Sequence, residues 1–298
     1  MLTRQLGTRT VSAIGLGGMP LSRPRAATGE LPSRADAIAT VHAALDAGVT
    51  FIDSADCYAP DHIGLGHNEE LVAEALRAAG NPDVFVATKG GIQRADDGSW
   101  PVCGRPDWIR EAVRGSLDRL GVDVIDLYQH HRPDPDVPYA ETIGAFRALY
   151  DEGLVAAVGL SNANPAQIRE AHGILGDALV SVQNRYSPIF RSSGPELDLC
   201  AELGLAFLPW SPLGGMRHAR ELAESFVPFA DVARDHGVSP QQLCVAWHLA
   251  KGEHVIPIPG ASRPESIRDS AQATGLALSA QELARLDAAE VAEAMVED

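Results

Sequence analysis

The stretch DAGVTFIDSADCYAP, residues 46–60, reads as one structural period. A helix ends at Asp-Ala-Gly, an apolar run VTFI follows, and polar residues including Asp53 and Tyr58 gather straight after it. A short, continuously apolar, β-branched run is the pattern of a strand buried on both faces, as in a parallel sheet. Seven further runs of this kind occur: AIGL (13–16), VFVAT (84–88), VIDLYQ (124–129), VAAVGL (155–160), LVSVQ (179–183), LAFLP (205–209) and VIPI (255–258).

Helical segments with readable starts lie between them. Ser33 with Asp36, Asn164 before Pro165, Ser239 before Pro240, and Ser279 with Glu282 all place a capping side chain at a helix entrance. The last of these opens QELARLDAAEVAEAM, an amphipathic helix expected on the outside of the fold. Eight alternations of strand and helix predict an α/β (β/α)8 barrel, whereas doubly wound sheets carry fewer strands. One barrel domain over residues 1–298 is expected, with a short hairpin turned at Gly7 and an extra carboxyl-terminal helix. No GxGxxG follows any strand: GLGGMP has Pro20 where the third glycine would lie, so a Rossmann reading fails on motif as well.

Composition narrows the function. With 40 acidic against 24 basic residues the net charge is -16, which disfavours a nucleic-acid partner. Four cysteines show no CxxC spacing, so neither a zinc ribbon nor a disulfide framework is expected, and a reduced cytoplasmic setting fits. The amino-terminal apolar runs are too short for a signal or a membrane span. A small-molecule enzyme, monomeric or weakly self-associating, is the expectation.

In such a barrel the functional groups sit just past the carboxyl ends of the strands. Asp53 and Tyr58, Lys89, the pair His130-His131, Ser161 with Asn162, Gln183, Trp210 with Ser211, and Gly260 to Arg263 all fall there. Lys89 ends an apolar strand, where an unpaired ammonium is costly, so Asp53 one strand earlier is its expected partner. A cation beside the Tyr58 phenol is expected to favour the phenolate and so lower its pKa. Adjacent strand residues point to opposite faces, and no HxH or HExxH occurs, so no metal site is expected at the histidine pair. Cys57 reads as a small buried filler.

FIDSADCY, VFVATKGG and DLYQHHRPDP resemble the strand-end motifs of the aldo-keto reductase family, and the likeness spans AIGLGGM to the last helices. The resemblance implies a catalytic tetrad of Asp53, Tyr58, Lys89 and His131; His130 stands where a hydrophobic residue is more usual. It also implies NADP as cofactor, with NAD as an alternative, and a carbonyl substrate. VGLSNA and SVQNRYSP imply that Ser161, Asn162 and Gln183 hold the nicotinamide amide, and Asp53, Gly18 and Met19 border the same cofactor. Trp210 takes the position of an aromatic that stacks on the nicotinamide ring, while Ser211, Pro212 and Leu213 line the pyrophosphate. IPIPGASRPESIRDSAQA implies that Gly260, Ala261, Ser262, Arg263, Ser266, Asp269 and Ser270 surround the adenosine phosphate. There Ser266 and Ser270 replace a usual arginine and asparagine, leaving Arg263 as the cation for a 2'-phosphate.

Short stretches such as GLGGMPLSRP look similar to bacterial pyridoxal reductases. A cofactor-binding sensor with little turnover and a Schiff-base aldolase using Lys89 are the other function classes; pairing to Asp53 would keep that lysine charged and a poor nucleophile.

Overall fold

Short apolar runs that carry no side-chain alternation can satisfy their backbones only inside a sheet covered on both faces, and these runs do so side by side. The computed structural model describes residues 1–61, 63–95, 97–215, 219 and 226–289. Seven parallel strands pair in chain order: β3 (Leu16–Gly17), β4 (Phe51–Asp53), β5 (Phe85–Gly90), β6 (Leu127–His130), β7 (Val158–Ser161), β8 (Leu179–Gln183) and β9 (Ala206–Phe207). Before them, β1 (Thr3–Leu6) and β2 (Arg9–Ser12) form the expected antiparallel hairpin, with Gly7 at φ 60° in the turn. Its Leu6 and Val11 pack with Phe51, Phe85, Leu127, Leu208 and Ile256 and fill the interior of the barrel.

The eighth run, VIPI, closes the barrel without forming a regular strand. Ile256 N donates to Phe207 O (2.9 Å) on one side, while Gly15 and Gly17 N donate to the carbonyls of Pro257 (2.9 Å) and Pro259 (3.0 Å) on the other. Proline has no N–H to return, so this segment accepts from its neighbour but completes only part of a ladder.

Helices α1 (Arg34–Asp46), α2 (His67–Ala78), α3 (Pro106–Leu120), α4 (Tyr139–Asp151), α5 (Pro165–Leu175) and α6 (Gly194–Leu203) follow β3 to β8 in turn, forming the outer layer. They are followed by α7 (Val227–His236), α8 (Pro240–Leu249), α9 (Pro264–Gln272) and α10 (Ala280–Asp287). The caps stand where the sequence puts them. Asn164 with Gln167 and Ser279 with Glu282 make complete capping boxes, and Ser239 accepts from Gln242 N. Ser33 makes only half a box: it accepts from Asp36 N, but the Asp36 carboxylate turns to Arg25 at 3.1 Å. The expected carboxyl-terminal helix runs as α10 to Asp287; its continuation from residue 290 lies outside the described residues. No described helix is long and apolar enough to cross a membrane.

Candidate active site

The parallel register sets Asp53 beside Ala87, and Lys89 beside Gln129, so groups from β4, β5 and β6 meet at one end of the barrel. Lys89 is wholly buried, and its ammonium spends its donors on Asp53 Oδ2 (2.6 Å), Ser54 O (2.8 Å) and Tyr58 Oη (3.3 Å). Asp53 Oδ1 accepts from Gln129 Nε2 (2.9 Å) and Gln183 Nε2 (2.8 Å). Burying two opposite charges is tolerable only when both are this fully hydrogen-bonded. The Asp53 loop is held from its other side by Gly18. Its N–H donates to Asp53 O at 2.8 Å, and a Cβ there would lie 2.7 Å from Asn68 Oδ1 and 2.8 Å from that carbonyl, so a larger residue cannot approach.

Tyr58 sits on the loop after β4, edge-on to the His131 ring (centroids 5.7 Å apart) and tilted against Trp100 (6.2 Å). The expected lowering of its pKa is overturned. Burial first, and then the Asp53 carboxylate, push the phenol well above its ordinary value, opposed by Arg132. The Lys89 charge is answered at 2.6 Å by Asp53, so the phenol meets a nearly neutral pair, and desolvation dominates. Tyr58 is therefore held protonated.

Of the two histidines, His131 lines the cavity, while the ring of His130 turns outward onto Tyr139 (5.9 Å) and Phe146 (5.5 Å) of α4. Burial, with Lys89 and Arg132 nearby, keeps the His131 imidazole neutral by pushing its pKa well below the ordinary range. Its Nδ1 lies 3.5 Å from Cys57 Sγ, a thiol that burial and Asp56 hold protonated. A protonated thiol can donate to Nδ1, an arrangement that matches the tautomer with the imidazole proton on Nε2. Cys57 thus does more than fill space. Its Sγ, a carboxyl oxygen of Asp56 and a ring nitrogen of His131 lie within 4.8 Å of one another, and burial pushes the Asp56 carboxyl well up. Burial thus works against the deprotonated forms of Cys57 and Asp56 that a metal would need.

Burial also lowers the His130 pKa to about 4 from 6.5, with Nε2 unpaired. The unfolded imidazole takes its proton as pH falls below 6.5 but the folded one waits until about 4, so stability is lost progressively across that window. The loss reaches roughly 3 kcal/mol at most. A His130→Leu protein should show a smaller fall in Tm between these pH values than the parent, and near neutrality its cost is limited because the change removes the unpaired buried Nε2. Equal falls in Tm would remove His130 as their source.

A cavity of about 930 Å³, counted with its open mouth, lies over these groups. Of the residues singled out in the sequence, Gly18, Met19, Asp53, Tyr58, His131, Ser161, Asn162, Gln183, Trp210, Ser211, Pro212, Leu213 and Gly260 line it. Lys89 reaches it through Asp53 and Tyr58. Ala261, Ser262, Arg263, Ser266, Asp269 and Ser270 do not border it: Ala261 and Ser270 are buried, Arg263 is exposed as the residue capping α9, and Asp269 accepts from the Ser239 hydroxyl at 2.6 Å. Sequence reasoning missed Arg132 and Ile92 on the wall; the HHRPDP stretch offered the arginine, but not its direction.

The polar wall has a definite donor pattern. Asn162, held at φ 58°, donates from Nδ2 to His131 O (3.0 Å) and Ser161 Oγ (3.0 Å). The Gln183 amide nitrogen is spent on Asp53 Oδ1 and on Gln129 Oε1 (3.1 Å). Among the described residues, this leaves Asn162 Oδ1 and Gln183 Oε1 as acceptors and the Ser161 hydroxyl as a donor, a set that matches a primary amide.

The Aldo/keto reductase family model matches residues 13–291. An aldo-keto reductase of Strobilurus tenacellus is 33% identical over 315 residues, covering 95% of this chain and 90% of that protein. Among solved structures, a glycerol dehydrogenase from Gluconobacter oxydans superposes with a TM-score of 0.81 at 26% identity, covering 96% of this chain and 94% of the other. An aldo/keto reductase from Klebsiella pneumoniae, solved with NADP and acetate, superposes with a TM-score of 0.78 at 28% identity over 96% and 94% of the two chains. A buried Asp-Lys pair against a tyrosine and a histidine, at the mouth of a barrel matched along nearly its whole length, makes this chain a member of the aldo/keto reductase family.

Proposed function

We propose that the protein reduces an aldehyde or ketone to an alcohol with NADPH, Tyr58 giving the proton to the carbonyl oxygen. The observation that carries this reading is the phenol oxygen 3.3 Å from a buried ammonium that is itself held by Asp53 at 2.6 Å. When bound, NADPH supplies the hydride. The Klebsiella relative's complex with NADP supports the choice of cofactor, and the amide-matching set of Ser161, Asn162 and Gln183 supports its placement.

The chain's own residues account for the proton. Tyr58 is held as the neutral phenol, the form able to donate, and Lys89 stands ready to stabilise the oxygen as the proton departs. Gln129 and Gln183 keep the Asp53 carboxylate aimed at Lys89 and away from the phenol. The Nε2–H of His131 is a neutral donor suited to orienting a carbonyl oxygen without competing for the proton. Trp210 offers a flat face for the nicotinamide ring, and binding at the wall positions the two reactants, which is the largest lever on such a reaction.

For the adenosine phosphate, the proposed assignment is Gly260, Ala261, Ser262, Arg263, Ser266, Asp269 and Ser270 around the start of α9. Arg263 is exposed there and can supply a cation, which supports NADP over NAD. Oxidation of NADPH and NADH should be followed against aldehydes, ketones and pyridoxal. NADPH-dependent loss of carbonyl is the expected result; binding of cofactor with no turnover on any carbonyl would favour the sensor reading instead.

A further inference from the structure

The only cationic side chain among the described residues lining the cavity is Arg132, immediately after His131. It is exposed at the mouth of the cavity, and its guanidinium has no ion pair or hydrogen bond among the described residues, in a chain of net charge -16. The nearest carboxylate in the sequence is engaged elsewhere. Asp134 accepts from Gly104 N (2.7 Å) and Asp136 N (2.9 Å), which fixes the turn after β6 and leaves Arg132 to the cavity. Met19, Ile92 and Trp100 give the same cavity an apolar and aromatic lining.

We infer that Arg132 makes this site select carbonyl compounds that also carry a carboxylate, joined to the carbonyl through a short apolar or aromatic segment. A guanidinium offers paired donors that match a carboxylate's two oxygens, and at the mouth of the cavity those donors are free to meet a substrate's carboxylate. The apolar wall accepts the connecting segment while Tyr58 and His131 take the carbonyl oxygen. This rests on the reading of the cavity as a carbonyl-reduction site.

The test uses a matched pair, para-carboxybenzaldehyde and its methyl ester, which share ring and aldehyde and differ in charge. The parent protein with NADPH should favour the acid, and Arg132→Gln should lower kcat/KM for the acid by about 3- to 10-fold, mainly through KM, with little change for the ester. Arg132→Lys should recover part of the loss, and rising salt should erode the parent's preference. A parent that favours the ester, or an Arg132→Gln protein that loses both substrates equally, overturns the inference. A second readout keeps it separate from turnover: para-toluate, which has no hydroxyl to oxidise, titrated calorimetrically into the protein with NADP should bind the parent more tightly than Arg132→Gln. Selective binding without turnover of any carbonyl would sink the reductase reading and leave the anion site standing; absence of selective binding would sink the anion site itself.

Discussion

Tyr58→Phe should lower kcat for carbonyl reduction by about 10²- to 10⁴-fold, the range spanned by a positioned general acid, while NADPH still binds. Only the hydroxyl is removed. The ring keeps its edge contact with His131 and its tilted contact with Trp100, so the cavity wall survives. Lys89 loses one acceptor at 3.3 Å but keeps Asp53 and Ser54 O, and the buried pair stays satisfied. Quenching of protein fluorescence by NADPH should therefore match the parent's, and Tm should shift little. A Tyr58→Phe protein that turns over at the parental rate would remove Tyr58 from the role of acid.

Lys89→Met is expected to be the most destabilising of these changes, because it strands the Asp53 carboxylate. That group is buried and would retain only the two amide donors of Gln129 and Gln183. Removing one partner of a buried ion pair costs about 3–5 kcal/mol, which in a chain of this size lowers Tm by roughly 6–20 °C. The double variant Asp53→Asn with Lys89→Met should recover much of that loss, since no unpaired charge remains. Both proteins should be inactive as reductases, so stability and activity separate cleanly. If the single and double variants melt together, the ion pair is not what holds this end of the barrel.

The barrel was legible because its evidence is local. Each apolar run, such as VFVAT or LVSVQ, and each cap, such as Asn164 with Gln167, is written in consecutive residues. The shortfall at VIPI has the same kind of cause read less fully: its prolines cannot donate, so on the side of β3 the segment joins the barrel through its carbonyls. Aspartate at 36 is one methylene shorter than the glutamate of a full capping box, and Arg25 claims it from a distant loop.

From the sequence alone came the order of strands and helices, the polar rim at their carboxyl ends, and the pairing of Asp53 with Lys89, since an apolar strand cannot end in an unanswered ammonium. Alternation along β6 shows that His130 and His131 face opposite ways. Which of them looks into the cavity depends on what packs behind the sheet, and that is Tyr139 and Phe146. The acidity of Tyr58 likewise was beyond sequence reach, because it is a balance of burial and of charges brought in after β4 and β6, and burial wins. Only the tertiary structure turned Arg132 toward the same cavity, after the backbone amides of Gly104 and Asp136 had engaged its neighbouring carboxylate.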